Sequence, residues 1–229
     1  MAATNTKLWY LENFNLFKEL PKEELMKVEK MTSMRTIKKG EFIYFPDTPS
    51  TSVFLLKKGR VKILGYTDDG KEIIKKILWP GDMFGELGLI DEEKRSDYSQ
   101  AMDDDVLICA MDKNDMMKMM GANDMLNIKV LKIIGLRLRK MERRVMSLVG
   151  KSARTRLIEF ICELAEERGK KVGDEILVKH RLTHQDIASL NAISRQKTTA
   201  ILNDLRDENL INFDRNSILV RNLTKLKAL

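Results

Sequence analysis

At 229 residues, with 33% charged and 43% hydrophobic side chains, the chain has room for one large domain or two ordinary ones and reads as a globular protein. No apolar run approaches the roughly 20 residues that cross a bilayer. The first residues, MAATNTKLWYLENF, lack the basic flank and apolar core of a secretory signal, so a cytoplasmic protein without a membrane role is expected. The net charge of +7 is unevenly placed: residues 1–124 carry −3 and residues 125–229 carry +10. A polyanion is expected to meet the second half, the alternative being a solvated basic face with no partner.

Residues 1–30 read as a short helical lead. Phe14, Leu16, Phe17 and Leu20 precede Pro21, and PKEELMKVEKM starts a helix at the proline. From about 34 to 112 short strands take over: MRTIKK, EFIYF, SVFLLKK, GRVKILGYT, KEIIKKILWP and DDVLICAMD. Their Ile, Val, Phe and Tyr content and the glycines between them point to a sandwich or barrel. Asp69-Gly70 is the strongest hairpin signal. Residues 112–122 form a short helix whose methionines serve packing.

A long helix is expected over 125–149. Leu131, Ile134, Leu138, Met141, Val145 and Leu148 recur at intervals of 3, 4, 3, 4 and 3, a narrow a/d seam with charged residues on the other faces. That pattern fits a two-stranded coiled coil in a homodimer; the alternative is packing on the protein's own barrel. Gly150 and Lys151 break the chain before a new helix, SARTRLIEFICELAEERGKK. The expected division is therefore a sensor domain at 1–124, a dimerisation helix at 125–149 and a DNA-binding domain at 150–229.

Chemistry narrows the choices. Cys109 and Cys162 sit in apolar segments with no Cys or His at ligand spacing, so buried thiols in a reducing compartment are expected. An iron–sulfur cluster would need about four thiolates. Both histidines, His180 and His184, lie in the C-terminal part, so no metal site is expected in the N-terminal one. No GxxxxGK, HExxH or GxSxG motif occurs, and Asp91, Glu92 and Glu93 read as a solvated loop, so an enzyme is not expected.

The C-terminal constellation is more specific. Thr183 is an N-cap for HQDIASL, with Asp186 three residues on. A break at Asn191-Ala192-Ile193 follows, and Ser194 caps RQKTTAILNDLRDE, whose Ile201, Leu202 and Leu205 face inward. Two such helices make a helix-turn-helix, and INFDRNSILVRN beyond Leu210 reads as a wing hairpin. Arg195, Gln196 and Thr199 share an outward face suited to base edges, while Ser194 and Lys197 suit phosphates. With the start of the first helix, the candidate DNA-contacting residues are Thr183, His184, Gln185, Ser194, Arg195, Gln196, Lys197 and Thr199.

These residues resemble the superfamily of the cyclic AMP receptor protein and the fumarate–nitrate regulator, over almost the whole chain. ISRQKTTAIL is similar to its recognition helix. KKGRVKI, DDGKEI, PGDMFGELGLI and Arg95-Ser96 are similar to its cyclic-nucleotide-binding barrel and phosphate cassette. The resemblance implies an α+β protein with an N-terminal barrel of the double-stranded β-helix (jelly-roll) type, a long dimerisation helix and a C-terminal winged helix-turn-helix. It implies a homodimer on a two-fold DNA site, acting on RNA polymerase. It also implies an effector held by Gly85, Glu86, Leu87, Arg95 and Ser96.

Several positions depart from the pattern. Asp97 stands where nucleotide-binding members usually carry alanine. The stretch from Lys129 to Met146 holds no Ser or Thr, offering Arg137, Arg139, Lys140 and Arg143 instead. The effector is accordingly a cyclic nucleotide, a more anionic molecule, or none. Gln196 stands where the cyclic AMP receptor carries glutamate, and Ala200 where it has a second arginine, so an altered operator is expected. Ala192 replaces the turn glycine, and Asn191 is expected to take the left-handed geometry. Two other readings remain at this point: a nucleotide-sensing module of an enzyme complex, and an effector-independent DNA binder.

Overall fold

The computed structural model describes residues 7–12, 14–90 and 93–229, so Asp91 and Glu92 of the expected acidic loop lie outside the described residues. The chain divides into two compact units, Met1–Arg137 and Leu138–Leu229.

In the first unit, α1 (Lys7–Glu12) and α2 (Lys22–Met31) precede eight strands. They are β1 (Thr32–Ile37), β2 (Phe42–Tyr44), β3 (Ser52–Lys58), β4 (Val61–Tyr66), β5 (Glu72–Leu78), β6 (Met83–Phe84), β7 (Tyr98–Ala101) and β8 (Val106–Asp112). They form two four-stranded antiparallel sheets, ordered β1-β8-β3-β6 and β2-β7-β4-β5. The sheets are arranged as a jelly roll rather than a closed barrel. Asp69-Gly70 turns β4 into β5, with Gly70 at φ +77° and its amide donating to the Thr67 carbonyl at 2.8 Å.

Two cores share one sheet. Phe54 and Leu56 of β3, Phe84 of β6, and Ile108 and Ala110 of β8 face the second sheet, where Val61, Ile63 and Leu78 meet them. The alternate residues, Val53, Leu55, Cys109 and Met111, face the helices and pack on Phe14, Phe17, Val28, Met116 and Leu126. Burial on both faces explains why SVFLL reads as a continuous apolar run instead of alternating. β6 and β7 escaped the sequence reading because one is two residues long and the other, YSQA, is half polar.

Asp112 caps α3 (Lys113–Ala122) by accepting from the Asn114 amide at 2.8 Å. The long helix α4 spans Asp124–Gly150. Leu126 and Val130 are buried in the first unit's core, and Ile133 and Ile134 pack partly against it. The other seam residues are exposed, from 39% at Leu148 to 67% at Leu131.

In the second unit Ser152 caps α5 (Ala153–Arg168), accepting from the Thr155 amide at 3.1 Å. α5 ends at Arg168, earlier than GKK suggested, and the chain turns into β9 (Lys170–Val172) and β10 (Glu175–Lys179). The helix-turn-helix follows as α6 (His184–Asn191) and α7 (Arg195–Asp207), then β11 (Ile211–Phe213), β12 (Ser217–Val220) and α8 (Leu223–Lys227). One antiparallel sheet, β11-β12-β10-β9, backs the helices. Leu157, Ile161, Ile187, Ile201, Leu202, Leu205 and Val220 are among its buried core residues. The β9–β10 hairpin and α8 were not read from sequence, since KKVGDEILVK is too charged to separate from a helix end. Both cysteines are free and buried.

Candidate functional site

The helix-turn-helix is built by its caps. The Thr183 hydroxyl accepts from the Asp186 amide at 3.1 Å, and the Asp186 carboxylate accepts from the Thr183 amide at 2.8 Å, a reciprocal capping box. Ser194 accepts from the Lys197 amide at 3.1 Å and starts α7. The turn between the helices differs from expectation. Asn191 stays helical, its side-chain amide donating to the Ile187 carbonyl at 2.8 Å, and Ala192 takes the left-handed conformation at φ 51°, ψ 49°. Tying Asn191 back onto the preceding turn leaves its neighbour to make the reversal. Arg156 of α5 braces that turn, donating to the Asn191 carbonyl at 3.0 Å and the Ala192 carbonyl at 3.2 Å.

The outward surface of α7 carries no carboxylate in its first turn. Arg195, Gln196 and Lys197 are exposed. Arg195, Gln196, Thr199, Ala200 and Asn203 line one shallow groove along the helix. Thr199 is less free than the sequence suggested. Its hydroxyl donates to the Arg195 carbonyl at 3.0 Å and lies 2.9 Å from Nδ1 of His184. With the hydroxyl proton on the carbonyl, Nδ1–H donates to Thr199, leaving Nε2 as the ring's acceptor. Burial, and then the Arg195 charge, push the His184 pKa below its ordinary 6.5, so the ring is neutral at pH 7.

A second cleft, of about 600 Å³, lies between the start of α6, the start of α7 and the wing. Thr183, His184, Gln185, Arg195, Phe213 and Arg215 are among its lining residues. At the wing tip the Asp214 carboxylate accepts from the Asn216 amide at 2.6 Å and the Ser217 amide at 2.7 Å. Those bonds hold its pKa below the usual carboxylate value and fix the turn that carries exposed Arg215. Asn203 and Arg215 were missed from sequence. The signal for Asn203 was its helical spacing from Gln196 and Thr199; for Arg215, it was a lone base inside a DRN turn. Of the eight expected residues, Thr183, His184, Gln185 and Arg195 line this cleft and Arg195, Gln196 and Thr199 line the groove on α7, while Ser194 and Lys197 are exposed beside them in the chain.

In the first unit Gly85, at φ +74°, precedes a 3-10 helix, Glu86–Leu89. A Cβ at Gly85 would sit 2.9 Å from Nη1 of Arg95 and 3.0 Å from the Ser52 carbonyl. Arg95 is 4% exposed. Its Nη1 donates to the Gly85 carbonyl at 3.0 Å and its Nη2 to the Ser52 carbonyl, while Nε has no hydrogen-bond partner among the described residues. The guanidinium lies 4.6 Å from the centroid of Tyr44. Glu86, 5% exposed, pairs with Arg137 of α4 and with Lys76 of β5 at 3.5 Å. Burial pushes its pKa up, but the Lys76 and Arg137 charges outweigh that and hold it below the ordinary value. Arg137 also donates to the Met83 carbonyl. Asp97 approaches the Tyr44 hydroxyl and lies 3.7 Å from Nζ of Lys75. Leu87 and Ser96 are both exposed.

The buried Arg95 guanidinium spends both terminal nitrogens on backbone carbonyls. The ribose-side partner of a nucleotide does not stand ready, because Glu86 is engaged by two cations.

Known proteins share both halves. The family model for the cyclic nucleotide-binding domain matches residues 34–123, and that for the Crp-like helix-turn-helix domain matches residues 155–229. The anaerobic regulatory protein of Bacillus subtilis is 26% identical over 193 residues, 84% of this chain and 81% of that protein. The CRP-like cAMP-activated global transcriptional regulator of Mycobacterium tuberculosis is 25% identical over 188 residues, 82% of this chain and 84% of that protein. The structure of a CooA mutant from Carboxydothermus hydrogenoformans superposes with a TM-score of 0.77 at 27% identity, covering 88% of this chain and 89% of its own. The members are transcription regulators and not enzymes. With a jelly roll that matches the cyclic nucleotide-binding domain and a Crp-like helix-turn-helix in this order, the chain belongs to the Crp/Fnr superfamily of transcription regulators.

Proposed function

We propose that this regulator acts in the cytoplasm as a homodimer that binds a two-fold site in double-stranded DNA, contacts RNA polymerase, and answers to an anionic effector in the jelly roll. The division of labour is residues 1–124 for sensing, 125–149 for dimerisation and 150–229 for DNA. The observation that carries the reading is the start of α7: capped by Ser194, free of carboxylates, and presenting Arg195, Gln196 and Lys197 to solvent. A helix N-terminus with its dipole and two cations attracts the phosphate backbone. Arg195 and Gln196 then face base edges, guanine and adenine being their bidentate partners. Thr183, His184, Gln185 and Ser194 border the same surface and suit phosphates, while Thr199 orients His184.

Five exposed residues of the seam, Leu131, Leu138, Met141, Val145 and Leu148, with Ile134 at its inner edge, support pairing with a second copy. Two recognition helices about 34 Å apart engage two half-sites one turn apart. For the effector, Gly85, Glu86, Leu87, Arg95 and Ser96 form the expected contact set, with Arg137 in place of a hydroxyl from α4.

Random-site selection on duplex DNA tests the reading. Enrichment of a two-fold motif, with affinity falling steeply as salt rises, is expected. Arg195→Ala should cost about 1–3 kcal/mol of specific binding; equal discrimination by the variant would refute its reading role. A thermal-shift screen of nucleotides and anionic metabolites tests the effector, since a ligand of the folded state raises Tm.

A further inference from the structure

We infer that Asn203 is a further base-reading residue beside Arg195 and Gln196, recognising an adenine about three base pairs from the one read by Gln196. The inference rests on the DNA-binding reading above and deepens it.

Gln196 and Asn203 are seven residues apart, close to two full turns, so they lie on one stripe about 10.5 Å apart along the axis. Both line the same surface groove, with Thr199 and Ala200 between them. The inward face of α7 is occupied by Thr198, Ile201, Leu202 and Leu205, all buried. Asn203 therefore serves neither the core nor a cap.

Its presence is costly for the helix. Asparagine is among the poorer helix formers, because its amide competes for nearby backbone groups outside the helix. Here that amide makes no hydrogen bond to the protein among the described residues, and neither does that of Gln196. Thr199, by contrast, spends its hydroxyl on Arg195 and His184. The stripe thus offers two unspent carboxamides separated by a small apolar step. A carboxamide presents one donor and one acceptor side by side, the complement of adenine N6 and N7 in the major groove. Ala200 leaves the floor between them open, where a thymine methyl can sit. At about 3.4 Å per base along a strand, 10.5 Å corresponds to three base steps.

Random-site selection with wild type, Gln196→Ala and Asn203→Ala tests this. Alanine is the better helix former, and Asn203 lies at the surface, so the variant folds. Wild type should enrich two adenines about three base pairs apart in each half-site. Asn203→Ala should lose discrimination at one of them by roughly 5- to 150-fold while keeping the other, and Gln196→Ala should show the converse. Asn203→Ala with an unchanged base preference would overturn the inference. So would a uniform loss of affinity across all sequences, the signature of a phosphate contact. If wild type and both variants enrich no duplex at all, the DNA-binding reading falls and this inference with it. A motif enriched by wild type and left intact in Asn203→Ala removes only the inference.

Discussion

Ala192 shows how one residue can hold a strained position inside a motif. Left-handed geometry costs a non-glycine residue about 1–2 kcal/mol, and the turn persists because Arg156 ties down the carbonyls on both sides of the reversal. Glycine relieves the strain but gives the unfolded chain more freedom. Ala192→Gly should therefore gain about 1 kcal/mol, read as a higher urea midpoint with unchanged slope. A lower midpoint would show that the Cβ of Ala192 makes a contact worth more than its strain. From sequence, Asn191 is the expected left-handed residue because asparagine tolerates positive φ; in the structure its side chain bonds to the Ile187 carbonyl and keeps its own backbone helical.

At the scale of elements, α4 and α7 each present a face that the folded chain leaves uncovered. On α4 the seam remains exposed beyond Ile134, and Leu138, the first seam residue of the second unit, is 60% exposed. Burying one leucine contributes about 1.5–3 kcal/mol, and two-fold symmetry counts each position twice. Leu138→Asp should then weaken the dimer by roughly 3–6 kcal/mol, seen as monomer in sedimentation equilibrium at micromolar protein. Because the side chain is in solvent in the single chain, folding should be unaffected. An unchanged dimer would move the interface to another face. The seam was legible because a 3–4 spacing is a property of the helix alone. β6 and β7 were not, because their pairing with β3, β2 and β4 is decided by strands far away in the chain.

Across the molecule, buried charge sets how stability responds to pH. Lys57, in β3, is 8% exposed; its ammonium donates to the Tyr10 carbonyl at 3.2 Å and lies 4.3 Å from the centre of the Phe14 ring. Burial pushes its pKa down from 10.5 to about 8. A lysine with a depressed folded-state pKa costs stability in full below pH 8, and that cost is relieved as pH rises from 8 toward 10.5. Lys57→Met should raise stability at pH 7 by roughly 1–3 kcal/mol and abolish the relative gain between pH 8 and 10. Thermal unfolding at pH 7 and 9.5 measures both. A variant less stable at pH 7 would mean that the Tyr10 and Phe14 contacts outweigh the desolvation.

The long helix α4, the two helices α6 and α7, and the caps at Thr183 and Ser194 all followed from the sequence. Each depends on residues within two or three turns of one another, and local spacing fixes them. Tertiary structure decided what depends on distant partners. It paired Glu86 with Lys76 and Arg137, turned Arg95 onto the Gly85 and Ser52 carbonyls, and committed Thr199 to His184. It also placed Asn203 in the groove with Gln196 and left their amides unspent. Charge and hydrogen-bond partners are chosen in space, across strands and helices that the order of residues does not bring together.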